Sequence, residues 1–132
     1  MLSSSLLKPV ISNSKGDRQN WGQLYGSAAS LAVANAAQES GKLTVLICND
    51  TTSALRFERE LKFYGKQLEI LLLPDWETLP YDTFSPHQDI VSERLSTLHR
   101  LSTLQSGILV VPVSTLMHRL LPSQYLHAHS LN

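Results

Sequence analysis

The chain has 132 residues, of which 42% are hydrophobic and 17% charged, a composition typical of one globular domain and not of a disordered segment. Eleven basic residues balance eleven acidic ones, so the formal net charge is zero and overall electrostatics give no support for nucleic-acid binding. The single cysteine, Cys48, excludes an intramolecular disulfide and a multi-cysteine metal site, and its place at the end of an apolar run predicts a buried thiol.

The start of the chain is polar and rich in serine. We expect residues 1–20 to be a poorly ordered lead-in to a domain formed by residues 21–132. Met1–Val10 lacks the apolar core of a signal peptide. No segment approaches the ~20 apolar residues of a membrane span. The sequence therefore predicts a cytoplasmic protein with no membrane partner.

Two helices and one strand are predicted in the first half. Residues 27–40 (SAASLAVANAAQES) are rich in alanine and are followed by Gly41, a helix stop signal, so they predict a helix covered on several sides. Leu43–Cys48 (LTVLIC) is continuously apolar and predicts a central strand of a parallel sheet, buried on both faces. Residues 49–52 supply N-cap candidates for a helix over 52–64. Its apolar stripe consists of Ala54, Phe57, Leu61 and Tyr64.

The second half begins with another apolar run and then changes character. Leu68–Leu73 predicts a second strand. Asp75–Asp89 follows, a non-periodic segment in which a tryptophan, two prolines and four acidic residues are concentrated. A segment of this composition predicts an ordered loop between the strand and the next helix.

The last predicted elements restore the alternation of helix and strand. Ser85 as N-cap, with the proline and glutamine that follow it, predicts a helix over 86–104 with a stripe formed by Val91, Leu95 and Leu98. Ile108–Val111 predicts a third strand, and Ser114 a cap for a short helix that ends near Pro122. The pattern is typical of an α/β domain with a parallel sheet and flanking helices.

The turn into the first helix is where an α/β fold would carry a phosphate loop. A working loop reads G-x-x-x-x-G-K-[ST], and its lysine reaches the β- and γ-phosphates. In the register of residues 23–30, Gln23 and Ala28 stand at the glycine positions and Ala29 at the lysine position. Only Ser30 fits. The sequence therefore predicts no ATP hydrolysis and no bound cofactor at this turn.

Histidines and the acids of the loop are the other candidates for chemistry. His127-x-His129 could present two imidazoles on one side of a strand. The only other histidine nearby in the sequence is His118, and no acidic or cysteine ligand is close. Surface positions are therefore favoured over a metal site. The acids Glu77, Asp82 and Asp89, with His87, are irregularly spaced. They fit helix caps or ion pairs with Arg94 and Arg100 better than acid–base catalysis or metal binding. No catalytic residue and no metal ligand are assigned.

The loop aromatics could stack on bases. They are Trp76, Tyr81 and Phe84. No lysine or arginine lies between Lys66 and Arg94, however, and a groove that follows a phosphate backbone needs cations. We therefore expect the aromatic side chains to anchor the loop onto the sheet.

Three stretches of the sequence resemble the N-terminal region of bacterial transcription-repair coupling factors, the Mfd family. They are Asp75–Leu98 (DWETLPYDTFSPHQDIVSERLSTL), Gly107–Pro122 (GILVVPVSTLMHRLLP) and Leu126–His129. The match runs in order over roughly residues 20–132. That region of the family is similar to the UvrB excision-repair helicase without its working ATP site. The resemblance implies a degenerate P-loop helicase-like fold. It also identifies a remnant phosphate loop made of Gly26, Ser27, Ala28, Ala29 and Ser30.

The resemblance also implies a biological role. Whole coupling factors are ATP-dependent DNA translocases of helicase superfamily 2, which displace stalled RNA polymerase from damaged DNA and recruit UvrA for nucleotide excision repair. The motor, with its ATP and Mg²⁺, would lie beyond residue 132, and UvrA would contact the following subdomain. The final stretch, 125–132, reads as a chain that continues.

For the segment itself, we expect a non-catalytic scaffold that contacts the remainder of the coupling factor. Two alternatives stay open at this point. One is a nucleotide-binding fragment that uses Ser30 and loop amides, and the other is a DNA-binding module that uses the aromatic loop.

Overall fold

Three parallel strands form the sheet in the computed structural model, which describes residues 8–12, 14–78 and 83–129 without the side chains of His127 and His129. The strands are β1 (Leu43–Cys48), β2 (Ile70–Leu72) and β3 (Gly107–Pro112), and they lie in the order β1-β3-β2. The predicted α/β class is thereby confirmed. The boundary between residues 1–20 and 21–132 stays a prediction, and residues 1–7 and 13 lie outside the described part.

Five helices flank the sheet among the described residues. They are α1 (Ala28–Ser40), α2 (Thr51–Tyr64), α3 (Gln88–Thr103), α4 (Val113–Leu116) and α5 (Ser123–His129). The first two lie within one residue of their predicted bounds. The prediction of a single helix from Ser114 to Pro122 was wrong, because α4 is a single turn and α5 begins after the proline. The Ser114 hydroxyl does not cap α4, since it is bonded to Asp75 instead.

The central strand is β3, so the prediction that Leu43–Cys48 is central was wrong. All six residues of β3 are buried. In β1, which pairs with β3 alone among the described strands, Val45 and Ile47 are 50% and 55% exposed. An apolar run predicts a buried strand but contains no information on which neighbour it will pair with. The helix on that face of the sheet covers β2 and β3 and leaves β1 open.

Helices cover both faces of the sheet and create two apolar clusters. On one face, α1 and α2 pack over alternate residues of all three strands, and Ala54 and Leu61 of the predicted α2 stripe are fully buried. On the other face, Leu98 and Leu101 of α3 pack against Leu109, Val111 and their neighbours in β2. Cys48 lies in the first cluster, as predicted, and burial raises the pKa of its thiol.

The start of α2 follows the sequence signal closely. Asp50 has an extended backbone, and its Oδ1 accepts a hydrogen bond of 2.7 Å from the Ser53 backbone N–H. That bond satisfies one of the amide groups that a helix leaves free at its N-terminus. The same bond, made to the charged form of the side chain, lowers the Asp50 pKa below its ordinary value of 3.8.

We expect the Asp50→Asn variant to lose less thermal stability in acid than the original chain. A carboxylate whose pKa is lower in the folded state stabilises the fold above its unfolded pKa, and this contribution disappears as the pH falls through the folded pKa. Asparagine also caps helices but does not titrate. Unfolding midpoints measured from about pH 6 to about pH 2 test this, because an unchanged slope below pH 4 contradicts the assignment.

Helix α3 begins later than the sequence signal indicates, so the prediction of Ser85 as its N-cap was wrong. The N-cap is His87, whose Nδ1 accepts a hydrogen bond of 3.3 Å from the Asp89 backbone N–H. The His87 imidazole thus caps the helix in place of the Ser85 hydroxyl, and the helix starts at Gln88 instead of Pro86. Of the predicted apolar stripe of this helix, Leu98 packs in the second apolar cluster, whereas Leu95 is 38% exposed.

Candidate functional site at the carboxyl edge of the sheet

The predicted phosphate loop forms the entry to α1. Gly26 has a left-handed backbone with φ of 57°, and Gln23 also has a positive φ of 59°. A phosphate loop joins a strand to a helix, so that its amides surround the anion at the helix start. Among the described residues before α1, 8–12 and 14–27, no strand is present. The turn therefore resembles a phosphate loop in the left-handed backbone of its glycine and in the helix that follows it. It differs in that no strand leads into it among the described residues.

The two hydroxyl groups of this turn make contacts with α2. Ser30 is completely buried, and its Oγ donates a hydrogen bond to the Glu60 carboxylate. Ser27 Oγ lies 3.0 Å from the Tyr64 hydroxyl. The hydroxyl that matched the phosphate-loop pattern therefore links two helices, and the carboxylate beside it repels a phosphate. Ala29, at the lysine position, provides no opposing cation.

A second cluster lies where β2 ends and the Asp75–Asp89 loop begins. Arg94 of α3 is only 2% exposed. Its guanidinium donates a hydrogen bond to the Pro74 carbonyl oxygen and lies 4.2 Å from the centre of the Trp76 ring. Burial lowers the pKa of Arg94, while the nearby Asp75 carboxylate opposes that shift. Trp76 therefore attaches the loop to α3, whereas the predicted attachment was to the sheet.

Phe84 does not share this attachment of the loop. Phe84 is 77% exposed, so its ring makes little of the predicted contact with the sheet. Tyr81 lies outside the described residues, as does Asp82. The described part of the loop therefore has one ring with an arginine against it, Trp76, and one solvent-exposed ring, Phe84.

Asp75 joins this loop to the segment after β3. Its Oδ2 accepts a hydrogen bond of 2.6 Å from Ser114 Oγ, and its Oδ1 one of 2.7 Å from the Trp76 backbone N–H. His118 Nδ1 is 3.5 Å from Asp75 Oδ1 but makes no hydrogen bond with any described residue. In a nucleophilic triad the serine donates to the imidazole, whereas here it donates to the carboxylate. The three side chains hold two loops together and do not activate the serine.

Of the remaining candidate acids, Glu77 and Asp89 are exposed. His87 and Asp89 lie 3.3 Å apart at the start of α3 with side chains 74% and 90% exposed. Arg100, a predicted partner of the loop acids, instead forms an ion pair with Glu69, with Nη2–Oε2 at 2.8 Å. This pairing lowers the Glu69 pKa, because the arginine favours the charged carboxylate.

Metal binding finds no support in the geometry that can be described. In residues 8–12, 14–78 and 83–129, no three histidine, cysteine or carboxylate side chains come together as a ligand set. The side chains of His127 and His129 lie outside that description. Within the same ranges, none of the helices has the length and apolar character needed to cross a membrane.

Comparison with known proteins decides the family. The chain is 48% identical over 116 residues to the transcription-repair-coupling factor of Escherichia coli, and 42% identical over 130 residues to that of Haemophilus influenzae. These matches cover 88% and 98% of the chain. The chain belongs to the transcription-repair-coupling factor family. The chain is also 33% identical to the transcription-repair-coupling factor of Mycobacterium tuberculosis, in a match that covers 73% of the chain. No family model matches.

The segment is a small part of a much longer coupling factor. It spans 10% of the Escherichia coli relative and 11% of the Haemophilus influenzae relative. The family places the chain in DNA repair coupled to transcription, as the resemblance implied. Activities and partners of the whole protein are therefore not properties of these 132 residues alone.

Several contacts of the turn before α1 and of the loop after β2 were not predicted from the sequence. They are the pairs Ser30–Glu60, Arg94–Pro74 and Asp75–Ser114, which join residues 20 to 39 positions apart in the chain. Propensity and periodicity describe neighbours along the chain, so they give no signal for such pairs. The one available clue was Arg94 itself, an arginine that directly precedes Leu95 of the apolar stripe of α3.

Proposed function

We propose that this segment is a non-catalytic scaffold of a UvrB-like module in a transcription-repair-coupling factor. The observation that carries the proposal is the hydrogen bond between Ser30 and the Glu60 carboxylate. A hydroxyl that would help to hold Mg²⁺ in a working phosphate loop here connects α1 to α2. Because a carboxylate occupies its hydrogen bond and no lysine precedes it, the turn does not attract a nucleotide phosphate.

Side chains also close the carboxyl edge of the sheet, where α/β proteins usually bind ligands. Asp75, Ser114, Arg94 and Trp76 bond or pack with one another across the ends of β2 and β3. Asp75 accepts from Ser114 Oγ and from the Trp76 backbone N–H, and Arg94 donates to the Pro74 carbonyl oxygen, so these polar groups are already paired within the domain. Such an edge supports a rigid structural part better than a site that must admit a substrate.

Membership of the family supports a proposal for the surrounding protein. We propose that the whole coupling factor displaces stalled RNA polymerase from damaged DNA and recruits UvrA through the subdomain that follows this segment. ATP and Mg²⁺ would serve the motor located elsewhere in the polypeptide. In that arrangement the present segment is a degenerate P-loop helicase-like domain, which Gly26–Ser30 and the failed lysine position support. The proposal places the protein in the cytoplasm, with the remainder of the coupling factor as the segment's own partner.

Titration with ATP and Mg²⁺ tests the scaffold directly. We expect the 132-residue chain to show no binding up to about 1 mM ATP, since a Kd of 1 mM already corresponds to only about 4 kcal/mol. Isothermal calorimetry and the ATP dependence of the unfolding midpoint are suitable measurements. Saturable, magnesium-dependent binding in the micromolar range would falsify the proposal and favour a nucleotide-binding fragment.

A restored loop is the matched comparison for that titration. The double substitution Ala28→Gly with Ala29→Lys returns the two missing phosphate-loop residues nearest the helix. With Glu60→Gln added, it also removes the competing charge beside Ser30. We expect no affinity from the double substitution alone, because the carboxylate remains. If the double variant alone binds ATP tightly, the argument from Glu60 is wrong.

A further inference from the structure

A groove with mostly apolar walls lies between α3 and the segment after α4. Its volume is about 300 Å³. One wall is formed by Val91, Leu95 and Leu98, the stripe that α3 presents along one side, and Trp76 closes one end. The opposite wall consists of Arg119, Leu120 and Leu121.

The groove leaves large apolar side chains in contact with water. Leu95 is 38% exposed, Leu120 52% and Leu121 44%. A helix stripe with a spacing of four and three residues normally faces a covering element along its whole length. Here the C-terminal part of the stripe, at Leu98, packs against the sheet, whereas Leu95 lines an open groove.

One uncompensated charge borders the same groove. Arg119 is exposed, and among residues 8–12, 14–78 and 83–129 no carboxylate forms an ion pair with it. The sequence from 113 to 132 contains no aspartate or glutamate at all. The second arginine of the lining, Arg94, is already committed to the Pro74 carbonyl oxygen and the Trp76 ring. Of the two arginines that line the groove in the described part of the chain, Arg119 is the one available to an incoming carboxylate.

We propose that this groove receives an amphipathic helix from elsewhere in the same coupling-factor polypeptide, with apolar side chains inserted beside Leu95 and an acidic residue opposite Arg119. Helix-in-groove docking uses apolar residues at a spacing of three and four, which suits walls made of two short apolar rows. The charge of the groove selects an acidic partner face. The inference deepens the proposed scaffold role, on which it rests.

The length of the family members favours an occupant from the same polypeptide. The segment is about a tenth of the Escherichia coli relative, so roughly nine tenths of such a protein is attached to it. A tethered segment has an effective concentration that reaches the millimolar range for short flexible linkers, which allows a groove of this small size to be occupied. A separate protein would have to form a complete interface from a much smaller contact than the usual 1,200–2,000 Å².

Hydrogen exchange of the backbone amides in α3 tests the docking in the whole coupling factor that contains this segment. We expect the amides of residues 91–98 to exchange about tenfold or more slowly in the whole protein than in the 132-residue chain. The substitutions Leu95→Asp and Arg119→Glu, made separately in the whole protein, should remove most of that difference. Arg119 is exposed, so its charge reversal tests the groove without disturbing the core.

Phe63→Asp is the matched control, because Phe63 is a large apolar residue that is 68% exposed on α2 and outside the groove. It should leave the additional protection intact. Equal exchange in the whole protein and the chain overturns the proposal, and so does protection that persists in Arg119→Glu. Protection that grows with the concentration of the 132-residue chain points instead to a second copy as the occupant. These readouts are independent of ATP binding, so a failure here leaves the scaffold test unaffected.

Discussion

Replacing Gly107 with alanine is expected to destabilise the domain by about 3 kcal/mol, which lowers the unfolding midpoint by roughly 10 °C. Gly107 is buried at the start of β3 and has a φ of 141°, a backbone conformation that side chains rarely allow. A Cβ atom there would lie 2.6 Å from the Glu69 carbonyl oxygen and 3.2 Å from Leu104 Cδ2. That carbonyl cannot move away freely, because it accepts a hydrogen bond of 2.9 Å from the Ile108 N–H.

Gly22→Ala provides the control for this substitution. A Cβ at Gly22 meets no atom within 4 Å, and its backbone is outside the left-handed region. We expect its unfolding midpoint in urea or heat to change by less than the equivalent of about 0.5 kcal/mol. Similar unfolding free energies for Gly107→Ala and the original chain would show that β3 tolerates a shift against Glu69, contrary to the geometry.

Arg94→Ala is the second substitution with a large expected effect, again about 3 kcal/mol of unfolding free energy. It removes a hydrogen bond from a charged donor, leaves the Pro74 carbonyl oxygen without that partner, and takes away the cation that lies over the Trp76 ring. Because the side chain is 2% exposed, the change also creates a cavity under the loop. Urea unfolding followed by tryptophan fluorescence, in a Trp21→Phe background so that Trp76 is the one tryptophan left, measures the free energy and the environment of Trp76 together.

Two further variants show which property of Arg94 accounts for the expected loss of stability. Arg94→Lys keeps a positive charge but loses the planar group that stacks on the ring, so we expect it to recover only part of the lost stability. Arg100→Ala removes an arginine from the solvent-exposed ion pair with Glu69 and should have a much smaller effect. If Arg94→Ala and Arg100→Ala are equally mild, the loop is not held by Arg94.

The local elements of this fold can be read from the sequence with good accuracy. Alanine content and Gly41 define α1, and the acidic cap at Asp50 defines the start of α2, because each of these signals acts within a few residues. The two main failures, the order of the strands and the cap of α3, have physical causes. β1 and β3 are both short aliphatic runs, so the sequence does not show which of them pairs with a strand on each side. At α3, His87 replaced Ser85 because an imidazole nitrogen can accept the same backbone hydrogen bond.

The candidate site was less predictable than the fold. The sequence shows that a lysine is missing at Ala29 and that Ser30 remains, but not that the hydroxyl is bonded to Glu60 thirty residues away. Likewise it shows that Trp76 lies in an unusual loop, but not that Arg94 lies against its ring. Resemblance to a family supplied the functional interpretation. The contacts supplied the observation on which the proposed scaffold role rests, the bond between Ser30 and Glu60.

The central position of β3 has a consequence for how the chain is made. β1 and β2 pair with β3 and not with each other, yet β3 begins only at Gly107. A ribosome that has released the first hundred residues has therefore delivered two strands with no partner between them. The sheet can close only when the third strand arrives between the other two, through contacts distant in sequence that are slow to form. Until then the aliphatic runs of β1 and β2 are exposed together, which is when a nascent chain of this kind most needs a chaperone.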